Sequence, residues 1–127
     1  MDILTAIVLN DYPDKHYATW VEEQKKTIET RMKDCNYRGD IVICCGAKSV
    51  TENAGKALCI VELYDVRDMR DEDAEAACIE NAPKRKAYLL RNWRYFPRKF
   101  KFSKMKVSGS FQWIFQIAIP DELMPTQ

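Results

Sequence analysis

The residues best suited to chemistry lie in one short segment, "KKTIETR", at positions 25–31. It contains Lys26, Glu29 and Arg31, which are two cations and one carboxylate. Lysine and arginine donate hydrogen bonds to phosphate oxygens, and arginine can donate two in parallel. A carboxylate can accept from an exocyclic amine of a base, or it can position a cation. The same side chains could instead form a partly buried ion-pair cluster that only joins a helix to a sheet. Both interpretations stay open at the level of sequence.

Two further segments contain candidate binding residues. In "NYRGD", Arg38 could contact a phosphate beside a cleft, or it could be an ordinary exposed turn residue. In "RNWRYFPRK", Trp93 and Arg94 belong to a run of aromatic residues interleaved with cations. This composition is typical of a base-stacking platform with phosphate contacts. It is also typical of a strand with one face in water, so this segment does not decide between them.

The charge is distributed unevenly along the chain. The net charge of +1 hides a segment, residues 81–120, that has ten Lys or Arg and no Asp or Glu, while the remainder carries a charge of 10 − 19 = −9. Such segregation favours a surface that faces a polyanion such as RNA. The alternative is that the basic segment folds back onto the acidic part of the same chain.

Cysteine and histidine usage argues against a metal or a disulfide framework. The five cysteines are an odd number with neither paired CxxC nor disulfide-scaffold spacing, and His16 is the single histidine. We therefore expect free, buried thiols, no metal and no cofactor. The first residues, "MDILTAIVLN", have no basic region, and no apolar run is long enough to cross a bilayer. These features predict a cytoplasmic protein with no membrane partner.

The pattern of apolar residues predicts which elements must position these side chains. A helix with Asp14 as its N-cap is predicted to lead through "KKTIETR" into a strand, because β-branched residues are dense there. A second helix is predicted over the acidic segment 67–81, where Pro83 follows its end. Strands are predicted over residues 3–10, 27–31, 40–45, 57–66 and 111–119, and over much of 86–107. One domain over residues 1–127 follows, of the α+β class: a small mixed, mostly antiparallel β-barrel with about two helices.

The order of these motifs resembles the ASCH domain of the PUA-like superfamily. The residues that carry the resemblance are Lys26, Glu29 and Arg31 after the first helix, then "NYRGDIVI", "GKALCIVELYDV", "KAYLLRNWRYFP" and "SGSFQWIF". It extends from about residue 3 to about residue 119. One departure is Gln24, which stands where the family signature has glycine. The resemblance implies a barrel whose cleft holds an RNA segment or a nucleotide, with Lys48 on a loop that lines the cleft.

The resemblance also implies an alternative activity. Some ASCH proteins resemble amidohydrolases that deacetylate N4-acetylcytidine with a lysine, a threonine nucleophile and a distant glutamate. Their threonine falls where this chain has Glu29, and a carboxylate cannot act as that hydroxyl. The sequence therefore favours an RNA- or nucleotide-binding module over an enzyme. A hydrolase or ribonuclease that uses Lys26 and Glu29 is the first alternative. A protein-interaction domain of a transcription or translation complex, whose acidic segment docks a basic partner, is the second.

Overall fold

A computed structural model describes residues 1–80, 84–105 and 114–125. Two short helices and eight strands follow one another in an order that begins with strands and ends with strands. They are β1 (Asp2–Leu9), β2 (Asp11–Tyr12), β3 (Lys15–His16), α1 (Tyr17–Glu22), β4 (Ile28–Arg31), β5 (Gly39–Cys45), β6 (Lys56–Asp68), α2 (Ala74–Ala77), β7 (Lys86–Lys101) and β8 (Ile114–Ile119). Single 3-10 turns lie at Asp71–Asp73 and Asp121–Leu123.

Six strands form one sheet in the order β4-β7-β6-β5-β1-β8. Strands β1 and β5 are parallel, and the other neighbours are antiparallel, so the predicted α+β class with a mixed, mostly antiparallel sheet is confirmed. The predicted closed barrel is wrong, because β4 and β8 are the two outer strands. Strand β1 is flanked by β5 and β8 and has no edge left for β4. The described residues instead show a side chain crossing the gap: Arg31 donates from Nη2 to the Val8 carbonyl at 2.8 Å.

Apolar side chains cover both faces of the sheet. Ile41, Ile43 and Cys45 pack on the face that is covered by α1, while Val42 and Cys44 pack on the opposite face. Successive residues of a strand point to opposite faces, and this places the two neighbouring cysteines in different parts of the core. The predicted free, buried thiols are confirmed for Cys44, Cys45 and Cys59. Burial raises the pKa of the Cys59 thiol to about 12, so it stays protonated and unreactive.

Helix α1 is shorter than predicted, and its predicted N-cap is wrong. Asp14 lies in the turn between β2 and β3, and the residue at the N-cap position of the helix is His16. Asp11 takes over this function from the preceding strand. Its carboxylate accepts from the Thr19 backbone N–H at 3.1 Å and from the Thr19 hydroxyl at 2.5 Å. A buried carboxylate distant in sequence thus satisfies a free N–H of the first turn.

The end of α1 explains how the chain does without the glycine of the family signature. Gln24 has a φ of +63°, which is the left-handed conformation that glycine adopts most easily. The Lys25 N–H donates to the Trp20 carbonyl at 2.9 Å, and the Gln24 N–H donates to the Val21 carbonyl at 3.0 Å. These are the two bonds of a Schellman motif. The turn is therefore built in the usual way, with glutamine accepting the backbone strain, and it directs the next residue, Lys26, into the interior.

The remaining elements follow the predictions with changes at their ends. Strand β6 extends to Asp68, so only the middle of the acidic segment is helical. Strand β7 runs through Pro97 without a break, although its register to β6 shifts three times. Phe115, Ile117 and Ile119 are buried on one side of β8, as the alternation predicts. Residues 106–113, which include the predicted start of this strand at residue 111, lie outside the described residues.

Candidate functional site

A cavity of about 410 Å³ lies where the sheet stays open, between β4 and the end of β1. It is walled by the polar segment that follows α1, by the residues after β1 and by the start of β7. Its lining consists of Val8, Leu9, Asn10, Tyr12, Tyr17, Lys26, Glu29, Thr30, Arg31, Ile79 and Arg85. The three charged residues selected from the sequence motif, Lys26, Glu29 and Arg31, therefore border one cavity.

Lys26 is the most deeply buried charged residue of this cavity, with 1% of its surface exposed. Its Nζ donates to the Ala77 carbonyl at the end of α2 at 2.5 Å, and it lies 3.5 Å from Oε1 of Glu29. It also lies 5.2 Å from the centre of the Tyr17 ring. Burial lowers the pKa of Lys26, and the charge of Glu29 only partly opposes this effect. Lys26 therefore gives up its proton more easily than an exposed lysine does.

Glu29 is shared between the two cations of the motif. Its Oε2 lies 2.8 Å from Nε of Arg31, while its Oε1 faces Lys26. Glu29 is 8% exposed, and Arg31 is held in addition by the Val8 carbonyl. The buried ion-pair cluster that the sequence allowed is therefore present. It coexists with the cavity, because the same side chains join α2, β4 and β1 and also form the cavity wall.

Two residues of the site were missed by sequence reasoning: Arg85 and Thr30. Arg85 donates from Nε to the Thr30 hydroxyl at 3.1 Å and from Nη2 to the Thr30 carbonyl at 3.3 Å. Thr30 lies on the opposite face of the strand from Glu29 and Arg31, but β4 is an outer strand, and the cavity borders residues on both of its faces. Arg85 reaches the cavity because β4 and β7 pair in a register that sets Arg31 opposite Lys86, the residue that follows Arg85. This pairing between distant strands gives no local signal in the sequence.

The uncharged part of the lining comes from the segment after β1. The Tyr12 ring is 49% exposed and packs edge-on against Tyr17, with ring centres 6.2 Å apart. Asn10 lies beside them and faces Gly46, where an added Cβ would be 1.8 Å from the Asn10 Oδ1. Gly46 therefore provides the space that the Asn10 side chain occupies. The sequence signal here, "NDYPD", indicated a turn and gave no sign of a binding surface.

Arg38 and Lys48 do not line this cavity. Arg38 is exposed, and its Nη1 donates to the carbonyls of Cys35 and Tyr37 at 2.8 and 2.9 Å. It is thus held by its own turn, and its Nη2 also lies 3.8 Å from Oδ1 of Asp65. Lys48 is exposed on the loop after β5.

Trp93 and Arg94 also lie outside the cavity lining. The Trp93 indole packs against the core beneath α1, and its Nε1 donates to the Val21 carbonyl at 2.7 Å. Arg94 makes two parallel bonds to Asp40, at 2.8 and 2.6 Å. These bonds lower the pKa of the Asp40 carboxyl. Both residues therefore have partners within the chain.

Much of the basic segment folds back onto acidic residues. Within the described part of the chain, four of its cations form ion pairs with carboxylates of other elements: Lys86 with Asp68, Arg91 with Glu62, Arg94 with Asp40, and Lys99 with Glu22. Arg85 differs from these four, because it lines the cavity and its hydrogen-bond acceptors in the described residues belong to an uncharged threonine. The cavity therefore contains a cation of the basic segment that no carboxylate of the described residues neutralises.

The described residues contain no group of three or more His, Cys, Asp or Glu that could hold a metal ion. Within the same ranges, none of the helices is long and apolar enough to span a membrane.

Comparison with known proteins gives one family. The matching family model describes the ASCH domain and covers residues 14–116. Among solved structures, the chain is similar to an ASCH protein from Zymomonas mobilis, with a TM-score of 0.56 and 18% identity over 76% of this chain and 72% of that one. A variant of that protein with one tyrosine replaced by phenylalanine gives a TM-score of 0.52 and 16% identity, over 76% and 74%. No curated protein matches the chain.

Proposed function

We propose that this chain, which belongs to the ASCH domain family, binds RNA or a nucleotide and uses the cavity beside β4 as its phosphate site. The observation that carries the proposal is the convergence of Lys26, Arg31 and Arg85 on one cavity that contains a single carboxylate, Glu29. The ASCH family is grouped with PUA-like RNA-binding folds, and this supports a nucleic acid as the source of the anion.

The chemistry of the lining fits this ligand. Guanidinium and ammonium groups are the usual protein donors to phosphate oxygens, and they are more effective where water is partly excluded. Lys26 and Arg31 are already oriented by Glu29 and by backbone carbonyls, so little conformational entropy is lost when a phosphate binds. The volume of the cavity lies within the range that holds small ligands.

The mouth of the cavity offers a place for a base. The half-exposed ring of Tyr12 can stack on a base, and stacking of this kind is tolerant of base identity. The amide of Asn10 provides both a donor and an acceptor beside that ring. We therefore place the phosphate against the cations and the base against Tyr12.

A fluorescence titration with short single-stranded RNA at two salt concentrations tests the proposal. Binding should weaken as salt rises, because each neutralised phosphate releases counterions. The variants Arg31→Gln and Lys26→Met should weaken binding at least about tenfold, since each removes a charged contact worth about 1.4 kcal/mol or more. The matched controls are Arg38→Gln and Lys48→Met, which change the same residue types outside the cavity and should leave the affinity within about twofold.

The outcome that overturns the proposal is an absence of RNA and nucleotide binding by the folded protein. A result in which the control variants weaken binding and the cavity variants do not would place the binding surface elsewhere.

A hydrolase acting on a modified nucleoside is the second candidate. It is favoured by a single observation: Lys26, whose pKa is lowered by burial, and the Thr30 hydroxyl line the same cavity. A lysine of this kind can act as a general base, and a hydroxyl can act as a nucleophile. Incubation with N4-acetylcytidine tests it. Release of acetate that is lost in both Lys26→Met and Thr30→Val would establish this activity, and no turnover would exclude that substrate.

A further inference from the structure

We infer that the cavity selects a terminal phosphate monoester over an internal phosphodiester, and that Arg85 is the residue that determines this selectivity. The inference rests on the proposed function, because it assumes that the cavity binds a phosphate of a nucleotide or an RNA. It adds the class of phosphate that is bound.

The first argument is the balance of charge. The described lining contains three cations, Lys26, Arg31 and Arg85, and one carboxylate, Glu29, which gives a net charge of +2. A phosphodiester within a nucleic acid strand carries one negative charge. A phosphate monoester has a second ionisation near pH 6 and carries between about −1.5 and −2 at pH 7. The monoester therefore neutralises the cavity, whereas the diester leaves one positive charge without a partner.

The second argument is the position of Arg85. Its two hydrogen bonds are to the hydroxyl and the carbonyl of Thr30, which are neutral acceptors. Among the described residues it has no carboxylate within ion-pair distance, in contrast to Arg91 and Arg94 on the following strand, β7. These bonds use two of the five N–H donors of the guanidinium group. Thr30 thus orients Arg85 without cancelling its charge.

The third argument is the way in which the cavity is enclosed. Its cationic end is deep, since Lys26 is 1% exposed and Glu29 is 8% exposed, while Tyr12 at the other end is 49% exposed. A terminal phosphate can enter such a site end-on with three oxygens directed at the cations. An internal diester must continue as a chain on both sides of the phosphate, and its two free oxygens leave donors unpaired. Unpaired buried donors are costly, and this cost disfavours the diester.

The experiment compares cytidine 5′-monophosphate with its methyl phosphodiester by isothermal titration calorimetry at pH 7.5. The two ligands share the base, the sugar and the phosphorus atom and differ by one methyl group and one charge. We expect the monoester to bind at least about tenfold more tightly, because one additional charge pair in a partly solvated site is worth about 1–2 kcal/mol. Inorganic phosphate forms a third arm and should bind more weakly than the nucleotide.

The variant Arg85→Gln should reduce the preference for the monoester to about threefold or less. Arg98→Gln changes an exposed arginine of β7 that lies outside the cavity and should leave the preference unchanged. Arg85→Lys keeps the charge and should retain most of the preference. Thr30→Val keeps all charges, removes the hydroxyl that orients Arg85, and should lower the preference without abolishing binding. It also provides a second test if Arg85→Gln does not fold.

The failures are distinguishable. Equal affinity for the two esters would overturn this inference and leave the proposed function in place. A preference that survives Arg85→Gln would overturn the assignment to Arg85. Binding of inorganic phosphate as tight as that of the nucleotide would show that base and sugar contribute nothing, which contradicts the proposed nucleotide site. No binding of any arm would overturn the proposed function together with the inference.

Discussion

Replacement of Glu29 by glutamine should destabilise the protein and at the same time strengthen anion binding. Glu29 is the carboxylate between Lys26 and Arg31, at 3.5 and 2.8 Å. Glutamine keeps the size and one acceptor oxygen but loses the charge. Hydrogen bonds to charged groups are worth about 1.5–3 kcal/mol, and the glutamine oxygen retains part of that, so we expect a loss of about 2 kcal/mol in the free energy of unfolding.

The same change should improve the binding of phenyl phosphate, a probe that has a phosphate dianion and no base edge. Removal of one negative charge about 6 Å from a phosphate removes about 0.7 kcal/mol of repulsion per ligand charge in water, or about 1.4 kcal/mol for a dianion. The affinity should therefore rise about tenfold. Urea denaturation measures the first effect, and isothermal titration calorimetry measures the second.

The destabilisation by Glu29→Gln should also depend on pH. Burial lowers the pKa of Lys26, Glu29 partly opposes that effect, and the variant removes the opposition. A lysine whose pKa is lower in the folded than in the unfolded state reduces stability while it is protonated. This cost begins to fall as the pH rises through the folded-state pKa and is gone above the unfolded-state pKa. The variant should therefore lose more stability while Lys26 is protonated than at a pH above its folded-state pKa, because a neutral Lys26 gains nothing from a carboxylate.

Glu62→Gln is the matched control for this prediction. Glu62 is also a strand carboxylate paired with an arginine, since Arg91 lies 3.0 Å away, but it lies outside the cavity lining. It should not change the affinity for phenyl phosphate. If Glu29→Gln leaves the affinity unchanged or weakens it while Glu62→Gln has no effect, the assigned position of the anion is wrong. If Glu29→Gln has no effect on stability, the interpretation of Glu29 as the anchor of the two cations is wrong.

Three further predictions concern the elements that hold the site. Gln24→Gly should be about 1 kcal/mol more stable than Gln24→Ala in thermal or urea unfolding. Both changes remove the side chain, but only glycine relieves the strain of the left-handed backbone conformation. Equal stabilities of the two variants would show that the backbone at residue 24 is not strained. Trp93→Phe loses the hydrogen bond to the Val21 carbonyl and should lower the free energy of unfolding in urea by about 1 kcal/mol. The affinity for RNA should not change. A large loss of affinity would instead favour the interpretation of Trp93 as a base-stacking residue. Burial raises the pKa of Asp11, but hydrogen bonds from neighbours such as Thr19 outweigh this effect, so the pKa of Asp11 is lowered overall. The ionised Asp11 therefore stabilises the fold above its unfolded-state pKa, and this contribution is lost as the pH falls through the folded-state pKa. Asp11→Asn should therefore flatten the acid limb of the stability curve, and an unchanged acid limb would contradict the assignment.

Most strands could be predicted from the sequence, and the charged motif could be located in it, because both depend on local patterns. The period-2 alternation of Phe115, Ile117 and Ile119 and the dense β-branched residues of "TIETR" depend only on neighbours in the chain. The motif residues converge because a short strand follows the turn at the end of α1. The replacement of the signature glycine by Gln24 predicted an altered or displaced turn, and this was wrong, because glutamine takes the left-handed conformation itself.

The failures have long-range causes. Closure of the sheet depends on whether β1 has a free edge for β4, and the hydrophobic pattern does not encode which strands become neighbours. Arg85 reaches the cavity only because β4 and β7 pair in one particular register. Asp11 replaces Asp14 as the cap because a two-residue hairpin intervenes, and such a hairpin is too short to give a periodic signal.

The most direct test of the central claim is an NMR titration that observes the Nε–Hε signals of the arginine side chains during addition of cytidine 5′-monophosphate. We expect the signals of Arg31 and Arg85 to shift together and to saturate with one dissociation constant. The signals of Arg38 and Arg94, which have partners outside the cavity, should stay in place. Saturable shifts at Arg38 and Arg94 with none at Arg31 and Arg85 would contradict the claim that the cavity beside β4 is the phosphate site.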